Sequence, residues 1–200
     1  MFRTVAALAL VTMLCGCVTR QVGLVYSAPA AATLPASERH PVVAIKTIID
    51  GRSNDAYWLG AIRGGYGNPL KTLKTDQPVK DVVAQAFSDA LAARGLLTPT
   101  GSETTDLTLT IHRFDCNQFI RREAHADFEI TLTDARTGSR VYTDRVTADD
   151  VNGSVLAMDV GVFASVDNLR MVAVGTMRGA IDKALDKAAF QAAVAAVPAS

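Results

Sequence analysis

Two patterns of apolar residues along the chain predict β-strands. Residues 42–49 are almost all apolar and β-branched, which is typical of a strand deep in a sheet. In residues 106–114 and 124–133 apolar and polar positions alternate, so each strand has one packed face and one solvated face. Thr137-Gly138 predicts a tight turn into a third strand at 140–147. These three strands are expected to form an antiparallel meander.

Glycine and turn residues separate the remaining short apolar stretches. A glycine-rich segment at 64–68 divides residues 57–63 from 70–74, and the two stretches are predicted to pair as a hairpin. The Asp-Gly-Arg-Ser-Asn-Asp run at 50–55 ends the first strand. We interpret it as a turn in which Asp50 accepts hydrogen bonds from its own main chain, rather than as a catalytic Asp–Arg pair.

A helical period predicts two helices. Seven apolar residues follow i, i+3, i+4 spacing: Val79, Val82, Val83, Ala86, Phe87, Ala90 and Leu91. Asp76 is the expected N-cap, and Gly95 ends the helix. A long second helix is predicted over 168–195 with Asp167 as its cap, and its apolar stripe consists mostly of small residues. That stripe favours close packing on the sheet over a homodimer interface.

These elements predict the fold class. Two helices packed on one face of a mostly antiparallel sheet form a two-layer α+β sandwich. We expect a single α+β domain over residues 41–197.

The N-terminus has the pattern of an export signal. Arg3 precedes an apolar run of about eleven residues, within the 7–15 of a signal peptide and short of the ~20 that span a bilayer. Leu14-Cys15-Gly16-Cys17 resembles the lipobox of bacterial lipoproteins. Cleavage between Gly16 and Cys17 would remove residues 1–16 as the signal peptide and leave Cys17 as the lipidated N-terminus. The alternative is an ordinary secretory signal followed by a chance cysteine.

The segment after the lipobox predicts how the domain is held. Residues 17–40 are rich in Ala, Ser, Pro and Thr, which predicts a lipidated flexible tether. Val18, not aspartate, follows Cys17, a context that in enterobacteria resembles lipoproteins sent to the outer membrane. We therefore expect a lipid-anchored protein on the periplasmic face of the outer membrane, with the inner membrane as the alternative.

Charge and cysteine content narrow the classes of partner. The chain has 20 Lys plus Arg against 20 Asp plus Glu and no basic stripe, which argues against a nucleic-acid partner. Once Cys15 is removed and Cys17 is acylated, Cys116 is the remaining thiol. We expect it to be inert and partly buried at a strand end, because a redox role would need a second cysteine.

Motifs for catalysis or cofactor binding are missing from the sequence. It contains no nucleophile elbow, Walker loop, dinucleotide fingerprint or Cys-x-x-Cys, and Asn152-Gly153-Ser154 lacks the flanking glycines of a hydrolase. One group of side chains could bind a metal ion.

If residues 106–114 pair with 124–133, His112 could lie opposite His125 with Asp127 in reach. Polar cross-strand neighbours on a solvated face are the commoner case, so we expect no metal, no cofactor and no enzymatic activity.

The order of elements resembles the YajG family of bacterial lipoproteins. The resemblance rests on an apolar first strand closed by Asp50-Gly51-Arg52-Ser53, a hairpin, a helix ending Ala93-Arg94-Gly95, a meander and a long C-terminal helix. The resemblance implies that the chain is exported as a lipoprotein, and it implies no activity and no catalytic residue.

Together these patterns predict a non-enzymatic binding or accessory module in the envelope, with an envelope protein as partner. Its contact surface would be the solvated sheet face or the hairpin, where Tyr57, Trp58 and Tyr66 are candidates. The alternative is an auxiliary lipoprotein of an envelope transport system. It would hold lipid or an exported substrate in a groove between helices and sheet.

Overall fold

The computed structural model describes residues 18–32, 40–152 and 164–197. Its strands form one mixed seven-stranded sheet: β1 Val18–Val22, β2 Val43–Asp50, β3 Trp58–Arg63, β4 Pro69–Thr75, β5 Thr105–Gln118, β6 Arg122–Asp134 and β7 Arg140–Asn152. The described α-helices are α1 Val79–Ala93, α2 Val166–Leu185 and α3 Ala188–Ala196, and a 3-10 turn lies at Ala30–Ala32. The α+β class is as predicted. The predicted signal peptide, Gly16 and Cys17 lie outside the described residues.

The central strand of the sheet is β5, with which three strands pair. Strand β2 runs parallel to its first half and β3 parallel to its last residues, so both follow one side of β5. On the other side β6 and β7 continue as antiparallel neighbours, and this confirms the meander. The hairpin β3–β4 is also confirmed, and β1 adds a parallel edge strand to β4. The sheet is mostly antiparallel, but the sequence did not predict its parallel pairings.

The apolar core lies between one sheet face and the helices α1 and α2. All seven predicted apolar positions of α1 are buried. Phe87 of α1 packs edge-to-face on Phe128 of β6, which packs in the same way on Phe114 of β5, with ring centroids 5.9 Å apart in both pairs. The small-residue stripe of α2 is buried within the chain itself, where α2 contacts β5, β6 and β7. Helix α2 therefore lies against these three strands.

The helix ends differ from the prediction. The C-terminal helix is not continuous over 168–195, because α2 ends at Leu185 and α3 begins at Ala188. The break turns Phe190 into the core, where its ring lies edge-on to Tyr142 with centroids 6.0 Å apart. The cap of α2 is Ser165, whose hydroxyl accepts from the Asn168 amide, and not Asp167.

The start of α1 was also predicted at the wrong residue. Its N-cap position is Pro78, which has no side chain able to accept a hydrogen bond. The carboxylate of Asp76 instead accepts from the amide of Gln77. Asp76 therefore belongs to the turn before the helix.

The predicted tether is wrong for its described N-terminal part. Strand β1 pairs with β4, with Val18 aligned to Lys71. Beyond β1 the side chains of Leu24 and Tyr26 are buried, as is Val22 within it. The burial of these three alternate side chains holds the segment against the folded domain, although its composition predicted a flexible chain.

Candidate functional site

The solvated face of β5–β7 carries cross-strand rows of polar side chains. One row is made of threonines in register on four adjacent strands: Thr47, Thr108, Thr131 and Thr143. The hydroxyls of Thr131 and Thr143 lie 3.1 Å apart. Neighbouring strands are about 4.8 Å apart, so the row is roughly 14 Å long. Hydroxyl–methyl side chains at this spacing form a flat, uncharged strip with hydrogen-bonding capacity.

Charged side chains on the same face are paired across strands. Arg145 of β7 holds the carboxylate of Asp127 on β6 through two hydrogen bonds, of 2.7 Å from Nε and 2.6 Å from Nη2. The Arg145 guanidinium therefore holds the pKa of Asp127 below its usual range, although burial opposes this. The fork geometry fixes both side chains more firmly than a single contact would.

The strand pairing on which the metal hypothesis for His112, His125 and Asp127 depends is wrong. The register of β5 and β6 aligns His125 with Asp115 and not with His112. His112 Nε2 lies 3.1 Å from Glu129, and His125 Nδ1 lies 2.5 Å from Asp149.

The described side chains that could bind a metal ion are spread over the structure. Across the described ranges no three His, Cys, Asp or Glu side chains converge closely enough to hold a metal ion. Strand alternation could not settle this register, because a shift of two residues keeps the same side chains on each face.

The hairpin residues do not form one surface. Tyr66 stands fully exposed at the hairpin tip, whereas Tyr57 is 42% exposed beside the first residue of β3, Trp58, which is partly buried. The length of β3 separates the two tyrosines, a distance of roughly 20 Å at ~3.3 Å per residue. Tyr57 and Trp58 therefore lie at the opposite end of β3 from Tyr66.

In the Asp50-Gly51-Arg52 turn the Asp50 carboxylate accepts a hydrogen bond of 3.2 Å from the main-chain amide of Arg52, as predicted from the sequence. The Arg52 side chain is 3% exposed. It binds the Asp50 carboxylate through Nε and Nη2, both at 2.9 Å, and donates from Nη1 to the Trp58 carbonyl at 2.9 Å. Burial alone would raise the pKa of Asp50, but the hydrogen bonds from Arg52 outweigh it and hold that pKa low. Arg52 thus joins the end of β2 to the start of β3.

The lone thiol of Cys116 is inaccessible. Its side chain is fully buried in β5, and burial raises its pKa to about 12. Since the thiolate is the reactive form, a pKa this high leaves almost none of it at neutral pH. Cys116 is also free of a disulfide partner among the described cysteines.

Three cavities are described at separate places in the fold. One of about 200 Å³ lies between the N-terminal segment and α1 beside Tyr26 and Asp89. Others of about 340 and 320 Å³ lie near Leu97 and beside Arg52. Drug-sized ligands occupy pockets of about 300–1,000 Å³. The two larger cavities reach the lower end of this range, and the one near Leu97 is lined by Ser88 of α1 and Ile45 of β2.

Solved structures share this fold at low sequence identity. A Xanthomonas campestris protein assigned to the family DUF330 matches with a TM-score of 0.61 and 12% identity, over 83% of this chain and 92% of its own. An uncharacterised protein matches with a TM-score of 0.55 and 8% identity, over 84% of this chain and 97% of its own. A lipoprotein candidate from Caulobacter crescentus CB15 matches with a TM-score of 0.39 and 21% identity, over 52% and 76%.

These identities support a shared fold and nothing finer, and the Caulobacter match is too weak in TM-score to carry an argument. No family model matches the chain, and no curated protein matches it. Membership of the YajG family is not confirmed. The chain is similar in fold to proteins that include a DUF330 member.

Proposed function

We propose that this chain is a bacterial envelope lipoprotein, anchored through Cys17 on the periplasmic face of the outer membrane, that acts as a non-enzymatic binding module. Its contact surface is the solvated face of β5–β7, and its partner is an envelope protein. The observation that carries the proposal is the asymmetry of the sheet. Helix α2 packs on one face of β5–β7, while the opposite face keeps its ordered polar rows partly exposed.

The side chains on this face are held in fixed positions, which favours binding. The Asp127–Arg145 pair is already fixed by two hydrogen bonds, so a partner would immobilise few additional rotamers. The threonine row offers hydroxyls whose desolvation costs less than that of unpaired charges. Val141 and Val151, 40% and 51% exposed on β7, add apolar area at both ends of the strand.

The anchor rests on the lipobox, supported by the position of β1. No helix in the described ranges has the length and apolar character needed to cross a bilayer. Val18, the residue after Cys17, is already paired on the sheet. A lipid on Cys17 would therefore hold the domain directly at the membrane surface. Two or three acyl chains on one cysteine suffice for stable attachment.

The Cys17→Ala variant is expected to lose its lipid and its membrane attachment together. The substitution removes the thiol that forms the thioether, so metabolic palmitate labelling falls to background and the protein leaves the membrane fraction. Cys15→Ala is the matched control and keeps both properties, because a small residue at that position suits the lipobox. Unlabelled wild-type protein would contradict the anchor and make the chain a secreted protein without lipid.

A photo-crosslinking residue at Thr131, in the middle of the threonine row, is expected to capture one envelope protein reproducibly in intact cells. The same residue placed at Met171, 58% exposed on α2, is the control and captures no such partner. Mass spectrometry of the adducts gives the comparison. Adducts that are equal at both positions, or missing at Thr131, would count against the solvated face as the contact surface.

A further inference from the structure

One end of the sheet gathers the start of the described chain and two turns. Six strands meet there in one continuous row of aligned residues: Val18, Lys71, Ile62, Gln118, Arg122 and Asn152. Just beyond this row lie the hairpin tip at 64–68 and the β5–β6 turn at 119–121. We call residues 18–20, 63–71 and 118–122 the N-terminal rim. Cys17 precedes Val18 by a single peptide bond, about 3.8 Å between Cα atoms.

The N-terminal rim exposes large apolar side chains. Tyr66 at the hairpin tip is fully exposed, and in the β5–β6 turn Phe119 and Ile120 are 43% and 47% exposed. Val18 itself is 44% exposed. Hairpin tip and turn stand at adjacent places along the rim, because β3 pairs directly with β5. Tyrosine prefers the headgroup level of a bilayer, where its ring is half apolar and its hydroxyl is hydrated.

The charge of the N-terminal rim has one sign. Its three segments contain Arg20, Arg63, Lys71, Arg121 and Arg122 and no aspartate or glutamate, in a chain whose formal net charge is zero. Arg20 and Arg121 are exposed, and Arg63 donates to the main-chain carbonyl of Gly67, a bond that leaves its charge in place. Each arginine or lysine close to an anionic membrane strengthens binding about fivefold.

We propose that the N-terminal rim is a membrane-contacting surface that binds anionic phospholipid. The inference rests on the proposed lipidation of Cys17 and adds the orientation of the domain. Acyl chains attached one residue before Val18 bring the bilayer to this end of the sheet. Tyr66, Phe119 and Ile120 enter the interface there, and the exposed guanidinium groups of Arg20 and Arg121 pair with phosphate groups. Strands β5–β7 then rise away from the membrane and present their solvated face sideways.

The orientation can be measured with environment-sensitive fluorophores on the lipidated full-length protein. Single cysteines replace Tyr66, Ile120 and, at the opposite end of β7, Ser139, which lies roughly 40 Å from the rim at ~3.4 Å per residue. Cys116 needs no replacement, because it is buried. Each labelled protein is inserted into vesicles of phosphatidylethanolamine and phosphatidylglycerol that contain nitroxide-bearing lipid. Nitroxide lipid should quench the labels at Tyr66→Cys and Ile120→Cys and leave the label at Ser139→Cys unchanged.

The outcomes separate this inference from the proposed function. If mass spectrometry finds no acyl group on Cys17, the anchor fails and the inference fails with it. If the protein is acylated and inserted but all three labels are quenched equally little, the anchor holds and the membrane-contacting rim is wrong. A second variant tests the charge. Arg121→Glu should weaken quenching at Ile120→Cys in phosphatidylglycerol vesicles and have no effect in phosphatidylcholine vesicles. An equal effect in both would overturn the preference for anionic lipid.

Discussion

Gly60→Ala is expected to destabilise the domain by more than about 4 kcal/mol, a magnitude reserved for severe steric or burial defects. A Cβ at this position would lie 1.6 Å from the carbonyl oxygen of Cys116 and 2.6 Å from its carbonyl carbon. Both are main-chain atoms of the central strand β5, so no side-chain rotation relieves the contact. The β3–β5 pairing would have to open and expose Leu59 and Ile62, which are fully buried.

Chemical denaturation followed by circular dichroism measures this effect. Typical domains have only about 5–15 kcal/mol of total stability, so we expect Gly60→Ala to be unfolded or close to it at 37 °C. Gly179→Ala in α2 is the matched control. No atom lies within 4 Å of its added Cβ, and the gain in helix propensity should stabilise the protein by up to about 1 kcal/mol. A Gly60→Ala protein as stable as wild type would mean that β3 does not approach β5 this closely.

Local patterns predicted the elements whose signals lie within one stretch of chain. The hairpin β3–β4, the meander β5–β7 and the buried face of α1 follow directly from glycines and hydrophobic spacing. The parallel pairings do not, because nothing in the sequences of β2 and β3 indicates with which edge of β5 each strand pairs. For the same reason Gly60 reads in the sequence as one small residue in an apolar strand, and only the pairing makes it sterically necessary.

The candidate site shows the same limit more sharply. Alternation correctly placed polar side chains on the solvated face of β5–β7, but it left open the strand register that decides which of them are neighbours. The N-terminal rim combines Val18, Tyr66 and Phe119 from three distant segments, each of which looks like an ordinary chain end or turn. Its single sign of charge becomes visible only when the topology brings those segments together.

The Arg94 side chain connects three parts of the fold that lie far apart in the sequence. It stands at the end of α1, is 5% exposed, and its Nε lies 2.7 Å from Asp186 at the end of α2. Its Nη2 lies 3.0 Å from Asp182, which also accepts a 2.6 Å hydrogen bond from the hydroxyl of Tyr26. The N-terminal segment, α1 and α2 therefore share one polar cluster, which holds the chain between β1 and the helices in place.

Arg94→Leu is expected to cost about 3 kcal/mol, the lower end for breaking a buried ion pair, because Asp186 is 56% exposed and can be rehydrated. Arg94→Lys keeps the charge but loses the fork, so its cost should be smaller, about 1–2 kcal/mol. Arg178→Leu on the exposed side of α2 is the control, with an expected change within about 0.5 kcal/mol. Urea denaturation of the four proteins measures the differences. Equal stability of Arg94→Leu and wild type would show that the cluster contributes nothing net.

The same cluster predicts a pH dependence on the alkaline side. Burial raises the pKa of Tyr26, and its hydrogen bond to Asp182 raises it further. The folded protein therefore holds this proton more tightly than the unfolded chain, so the hydroxyl contributes its full stability below about pH 10, the unfolded tyrosine value. That contribution is lost as pH rises beyond it.

Wild type should lose stability more steeply than Tyr26→Phe above about pH 10, whereas the two curves run parallel at neutral pH. Tyr142, whose pKa burial raises to about 12, is present in both proteins, so their difference isolates Tyr26. Curves that stay parallel throughout would mean that folding does not raise the pKa of Tyr26.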